Sequence, residues 1–295
     1  MRYAYFPGCS LHATAEEYDR SSRAICDKLG IELKEIEDWL CCGATPAHIT
    51  NHLLSLTLPL SSCVWAEKEK LDVMTCCAAC FSRLKLANHQ VRGDEKLLAE
   101  VNEVLEEDYK AEIEVLHLLE VITQKLDAEK LKKAIVKPLA GLKVACYYGC
   151  LLTRLPEEIR LDSKEDPMMM DKLAETIGAE PVDWAYKTEC CGASLAVIQE
   201  KTVLRLANDI LSIAEDNKAD CVMVACPLCQ SNLDLTQGAV NKKFKKKFNI
   251  PVFYFTQLLG LAMGIDQEKL GLSKLIVNPV PLLAEKGFIE KEADL

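Results

Sequence analysis

Cysteine is the residue in this chain best placed to do chemistry. Fifteen occur among 295 residues, and ten of them fall into two matching sets. The first is Cys9, the pair Cys41-Cys42, then Cys77 and Cys80; the second is Cys150, the pair Cys190-Cys191, then Cys226 and Cys229. In the first set 31 residues separate the single cysteine from the pair, and in the second 39 do. Both sets then run 34 residues from the pair to a C-x-x-C. The flanks repeat as well. Phe6-Pro7-Gly8-Cys9-Ser10-Leu11 mirrors Tyr147-Tyr148-Gly149-Cys150-Leu151-Leu152, and Leu40-Cys41-Cys42-Gly43-Ala44-Thr45 mirrors Glu189-Cys190-Cys191-Gly192-Ala193-Ser194. Val73-Met74 precedes the first C-x-x-C and Val222-Met223 the second, while Leu116-His117-Leu118-Leu119 resembles Thr256-Gln257-Leu258-Leu259. A repeat of this length reads as two copies of one domain. The seam is expected at Lys137-Pro138, giving domains 1–137 and 138–295.

Thiolates at such spacings bind metals or exchange electrons. A structural zinc takes four ligands, often cysteine with histidine. Each half here offers five repeated cysteines, and all five histidines lie in the first half. His12 and His48, though near motif cysteines, read as hydrogen-bonding or surface residues. A thioredoxin-like C-x-x-C would explain Cys77/Cys80 and Cys226/Cys229 but not the double cysteines. The bacterial ferredoxin run is absent. Cys221, Cys226 and Cys229 match the plant-type spacing, but Asp72 stands where the first half would need the equivalent of Cys221. What remains is an iron–sulfur cluster on up to five thiolates per half. Five donors, two of them adjacent, suggest a cluster more open than a cube, with one thiolate shared between irons. The other cysteines, Cys26, Cys63, Cys76, Cys146 and Cys221, read as small buried apolar residues, with Cys76 and Cys146 closest to the motif positions.

The elements that must position these thiols are short apolar runs alternating with longer amphipathic stretches. Strands are expected at Arg2 to Phe6, Asp72 to Thr75, Leu142 to Ala145 and Cys221 to Ala225. Helices are expected at Thr14 to Leu29, Thr50 to Lys70, Met168 to Ile177 and Leu195 to Asn217. The fold class is α/β: two tandem homologous domains, each a small parallel sheet flanked by helices, with the cysteines at the strand carboxyl ends. Met168-Met169-Met170 reads as helix packing. Trp39, Trp184 and Tyr186 read as core near the double cysteines.

Bulk composition narrows the rest. The chain is 49% hydrophobic and 27% charged, with net charge -10. That balance argues against nucleic acid as a partner. The one basic run, Lys242-Lys243-Phe244-Lys245-Lys246-Lys247, reads as a solvated helix face. No stretch is long enough to span a bilayer, so no direct membrane insertion and a cytoplasmic location are expected. No Gly-rich dinucleotide fingerprint is present, so electrons must come from a partner.

The doubled C-x31–39-C-C-x34-C-x-x-C pattern resembles the tandem CCG domains of the B-type subunit family of heterodisulfide reductase, and the likeness covers almost the whole chain. It includes Thr256 to Gly264 and the tail Asn278-Pro279-Val280-Pro281-Leu282-Leu283. The resemblance implies two non-cubane 4Fe–4S clusters, held by Cys9, Cys41, Cys42, Cys77 and Cys80 and by Cys150, Cys190, Cys191, Cys226 and Cys229. It implies an oxidoreductase acting on a disulfide across a cavity between the clusters, each supplying one electron and capturing one sulfur. The catalytic candidates are Cys42, Cys80, Cys191 and Cys229. The implied partners are a small ferredoxin-type iron–sulfur subunit with ordinary four-iron clusters and, in many members of the family, a flavin-containing subunit. The alternative is a non-catalytic electron relay in another redox complex. One departure from the methanogen type is Leu151, where many relatives carry histidine.

Overall fold

The computed structural model describes residues 1–44 and 47–290; Thr45, Pro46, the His48 side chain and residues 291–295 lie outside the described residues. Among the described residues eight strands form two parallel sheets of four. They are β1 (Arg2–Phe6), β2 (Glu32–Glu35), β3 (Val73–Thr75), β4 (Val115–His117), β5 (Lys143–Tyr147), β6 (Glu180–Pro181), β7 (Cys221–Val224) and β8 (Val252–Tyr254). The sheet orders are β2-β1-β3-β4 and β6-β5-β7-β8, so the sequence repeat is a structural repeat. β3, β4, β7 and β8 are buried along their whole length, as strands of a helix-covered parallel sheet must be. β2 is a polar edge strand, Glu-Leu-Lys-Glu, and β6 is only two residues long and ends in Pro181, which suits an edge.

The chain reverses direction across each sheet between β1 and β3, and between β5 and β7. In open parallel sheets ligands gather at that switch point, beyond the strand carboxyl ends. Cys9 lies just past β1 and Cys77 just past β3; Cys150 and Cys226 occupy the same places past β5 and β7. The main helices fall where the spacing predicts them, over Glu16–Lys28, His52–Lys68 and Met169–Thr176. The stretch expected as one helix from Leu195 to Asn217 instead has a short 3-10 turn, Ala193–Leu195, before the helix Glu200–Asp216.

Strand register corrects one sequence match. Val73 pairs with Val115 and Thr75 with His117, while Val222 pairs with Val252 and Val224 with Tyr254. His117 is therefore the counterpart of Tyr254, three residues earlier than the Leu-Leu pairs suggest.

Candidate metal–thiol centres

Each site begins with a glycine. Gly8 and Gly149 open short helices, Gly8–His12 and Gly149–Thr153, that carry Cys9 and Cys150. Both have left-handed backbones, φ +70° and +67°, where a side chain is strained. A Cβ on Gly8 would stand 2.9 Å from Cys80 Sγ, and one on Gly149 would stand 3.0 Å from Cys229 Sγ. The missing side chains let the backbone approach the thiols from one side. Cys77 and Cys226 cap the helices Ala78–Arg92 and Pro227–Leu235, which place Cys80 and Cys229 in their first turns.

The double cysteines complete each group. Cys42 Sγ lies 3.4 Å from Cys80 Sγ, and Cys191 Sγ lies 3.7 Å from Cys229 Sγ. Cys150 and Cys190 sulfurs are 3.9 Å apart, and the Gly192 amide donates to Cys190 Sγ at 3.4 Å. Cys9 interacts with Cys41, Cys42 and Cys77, and Cys77 with Cys80. All ten repeated cysteines are thus brought together, five in each half. Among the described residues, no three His, Cys, Asp or Glu side chains are arranged to hold a single metal ion. The sulfurs meet in touching pairs instead.

Their protons are unevenly shared. The Cys80 thiol pulls Cys42 down to about 7, and the Cys150 thiol pulls Cys190 down to about 6. Cys77 is lowered by Cys80. Cys80 and Cys229 are pushed well up, first by the thiols they face, Cys42 and Cys191. Cys9 is raised by burial, and Cys150 by its contact with Cys190. Thiols meeting this closely cannot all ionise together unless a strongly cationic core sits among them, because like charges at about 4 Å repel. The donor set therefore fits a multi-iron core, for which thiolates are the usual ligands.

The remaining cysteines stay apart. Cys26, Cys63, Cys76, Cys146 and Cys221 are buried. Burial raises all five, Cys63 and Cys76 to about 12. Cys221 opens β7, at the strand end away from Cys226, so its plant-type spacing brings no ligand to the site. His12 bonds Glu35 at the surface, 3.1 Å from Nε2 to Oε1. Trp39 packs edge-on against Phe6 and His12, while Trp184 is buried and donates to the Cys146 carbonyl. Met169 and Met170 are core, as expected of the methionine run.

Several residues have no sequence signal that would have marked them. Lys187 is almost fully buried and pairs with Asp171 (3.2 Å) and Asp166 (2.9 Å). Its carbonyl accepts from the amides of Tyr148 and Gly149, and the Tyr148 hydroxyl donates to Asp171 at 2.6 Å. This network ties the approach to Cys150 to the approach to Cys190. In the first half Pro7 stands at the place of Tyr148, so the arrangement belongs to the second site alone. A small cavity of about 40 Å³ is lined by Cys150, Cys190, Cys191, Cys226 and Cys229, together with Tyr148, Leu151 and Leu228. Ala78, from between Cys77 and Cys80, also lines it, so the C-x-x-C segment of the first repeat reaches the thiol cavity of the second.

Comparison with known proteins agrees with this organisation. The family model for the cysteine-rich domain, CCG, matches residues 3–85 and 144–234. The chain is 34% identical over 283 residues to an 8-methylmenaquinol:fumarate reductase membrane anchor subunit of Wolinella succinogenes, covering 95% of this chain and 98% of that one. It is 32% identical over 291 residues to the B-type subunit of a ferredoxin/F420H2-dependent CoB-CoM heterodisulfide reductase of Methanosarcina acetivorans, covering 96% of each. A crystal structure of a hypothetical protein from Helicobacter pylori shares the fold, with a TM-score of 0.76 at 16% identity, over 94% of this chain and about half (52%) of that one. With two matched cysteine-rich domains, a repeated thiol site and relatives aligned over nearly its full length, the chain belongs to the B-type subunit family of heterodisulfide reductase, a family of tandem CCG-domain proteins.

Proposed function

We propose that this chain is the iron–sulfur subunit of a redox complex, with one non-cubane 4Fe–4S cluster in each half, and that it reduces or forms a disulfide at the junction between them. The ligands are Cys9, Cys41, Cys42, Cys77 and Cys80, then Cys150, Cys190, Cys191, Cys226 and Cys229, with the domain boundary at Lys137-Pro138. The observation that carries the reading is the repeated grouping of thiols in the two halves, with Ala78, from the first C-x-x-C, lining the thiol cavity of the second. Five thiols exceed what one zinc uses.

Cleaving a disulfide takes two electrons and two protons and yields two thiols. Two one-electron centres side by side would supply those electrons without release of a thiyl radical. The chain's own residues do the rest. Leu151, Leu228, Ala78 and Ala193 keep the junction apolar, which excludes water. The four cysteines nearest each other across the touching pairs, Cys42 with Cys80 and Cys191 with Cys229, are the positions where substrate sulfur would approach. The apolar Leu151 in place of a histidine favours a substrate with an uncharged group at that position. Electrons would arrive from a ferredoxin-type partner, directly or through a flavin protein.

A second reading is an electron relay in a complex acting on another substrate. It is favoured by the 34% identity to part of a fumarate reductase and by the small size of the thiol cavity. Among the described residues no helix is long and apolar enough to cross a membrane. Iron, zinc and acid-labile sulfide per chain, measured after anaerobic purification, test the cofactor: about eight irons with matching sulfide are expected for two four-iron clusters. Turnover of disulfides by the isolated chain with an artificial electron donor then separates the enzyme from the relay. Loaded protein that reduces none of them overturns the catalytic reading.

A further inference from the structure

The two halves pack through matched pairs of helices, and one pair leaves open a space that the other fills. β8 is followed by the helix Phe255–Ala262, which lies against Glu16–Lys28 of the first half. β4 is followed by Leu118–Glu120, which meets Met169–Thr176 of the second half and runs on into the turn Val121–Lys125. Strand register makes His117 the counterpart of Tyr254. Thr123 and Gly260, each six residues further on, are then counterparts too.

At the junction beside Gly260 the chain supplies its own plug. Leu270 is fully buried there, and a Cβ on Gly260 would fall 2.3 Å from its side chain. Gln257 donates to the Leu270 carbonyl at 3.1 Å, and Arg20 donates to the Glu268 carbonyl. The Gly271 backbone runs so close to Glu17 that a Cβ would stand 2.6 Å from that side chain. Residues 266–271 thus strap the groove between the two helices.

At the junction beside Thr123 the chain turns into the helix Ala128–Ala134 instead, and the groove holds an open cavity of about 270 Å³. Ile122, Leu126, Leu131, Leu161 and Leu173 give it an apolar lining. The turn beside it is wide: the Leu126 amide donates to the Val121 carbonyl, five residues back, whereas Met263 donates to Leu259, four back. Such π-helical turns recur at functional sites. Lys132 and Lys172 line the cavity from its exposed rim. Lys132 pairs with Glu129 on the open surface, and the Lys172 ammonium has no carboxylate partner among the described residues. Asp162, the acid of the lining, is turned onto the Met168 and Met169 amides at 2.7 and 2.6 Å. The interior is apolar and the rim cationic.

We propose that this groove is a docking site for a partner protein and takes a segment in which a leucine is flanked by carboxylates. The chain's own strap is the pattern: Asp266 and Glu268 precede Leu270. The partner's leucine fills the space beside Thr123, and its carboxylates meet Lys172 and Lys132, which sets orientation more than strength. The inference is independent of the cofactor and disulfide readings.

The probe is a fluorescein-labelled peptide with the sequence of residues 266–272, titrated with the full chain and read by fluorescence anisotropy. Saturable binding is expected, weaker at high salt. Leu270→Ala within the peptide should weaken it about tenfold or more, from the lost leucine burial. Thr123→Trp in the chain fills the cavity and should abolish binding. Lys172→Glu, on the exposed rim, should weaken binding and remove its salt dependence, and it carries the test should Thr123→Trp fail to fold. Benzoylphenylalanine at position 172, irradiated with the peptide present, is expected to cross-link to it. No binding up to about 1 mM peptide overturns the inference. Binding unchanged in both variants overturns it as well, by placing the peptide in the groove beside Gly260. A small organic molecule retained by the chain but not by Thr123→Trp, found by mass spectrometry, replaces the partner segment with a ligand. Self-association lost in Thr123→Trp assigns the groove to a second copy and equally ends the proposal.

Discussion

The clearest case at the scale of single residues is the thiol set, because ten cysteines at matched spacings announce themselves. Their roles give a direct prediction. Cys191→Ser should abolish disulfide turnover while the first half keeps its iron, so iron per chain falls by about half; full activity with full iron would contradict the ligand assignment. The glycines beside the thiols were legible only as part of the repeat. Their reason is steric and appears in the fold: Gly8→Ala would place a methyl 2.9 Å from Cys80 Sγ on a left-handed backbone. A loss of about 1–3 kcal/mol is expected from the backbone strain alone, read as a lower urea midpoint, together with reduced iron retention. His117 shows the opposite case, where sequence says nothing. It is fully buried, its Nε2 donates to the Cys76 carbonyl at 2.7 Å, and its Nδ1 accepts from the Leu119 amide at 3.1 Å. Burial lowers it from 6.5 to about 4. The unfolded chain therefore binds a proton first as pH falls. The stability His117 contributes is complete above about pH 6.5 and is lost on acidification toward about pH 4, by about 3 kcal/mol at most. His117→Gln should flatten that part of the stability–pH curve relative to the unmodified chain, as measured by urea midpoints across the same range.

Among the elements, apolar runs revealed four strands and hid four. β1, β3, β5 and β7 are central and buried, so their composition betrays them. β2 and β6 lie at the edges, where polar residues and proline are tolerated. β4 and β8 are three residues each, too short for a period to show, and the Leu-Leu pairs after them drew the alignment three residues out of register. The loops that bring the double cysteines into place were not legible at all, because long-range hydrogen bonds hold them. In the second half the Asn232 side chain donates to the Cys191 carbonyl at 2.8 Å and the Tyr147 hydroxyl donates to the Glu189 carbonyl at 2.6 Å. Lys187 completes that brace. Replacing it with methionine would leave Asp171 buried without its cation, and a loss of about 3–5 kcal/mol is expected, seen in thermal or urea unfolding and absent from Lys164→Met on the exposed loop nearby.

For the molecule as a whole, the two halves behave as one packed body. Buried residues from both sheets form one continuous core, including the Tyr18–Tyr254 stack. Ser21 and Thr256 hydroxyls bond across the junction at 2.7 Å, and Lys28 and Arg20 donate to the Met263 and Glu268 carbonyls. Unfolding is expected in a single transition, with visible absorption and circular dichroism lost together; two separated transitions would show that each half stands alone. Composition hinted at two domains but could not show how closely they interlock, since every one of these contacts joins residues more than 200 positions apart.

The interlocking is reciprocal. The Ala78–Arg92 helix of the first half packs on the Gly149–Thr153 helix of the second, and the matching Pro227–Leu235 helix packs on Gly8–His12. Likewise Phe255–Ala262 meets Glu16–Lys28, while Leu118–Glu120 meets Met169–Thr176. Each patch on one repeat thus answers its counterpart on the other, which is the rule of a two-fold homodimer interface. One polypeptide thus carries within itself the contact pattern of a two-fold pair, and because its two members are separate stretches of sequence they can differ at matched positions, as Pro7 and Tyr148 do.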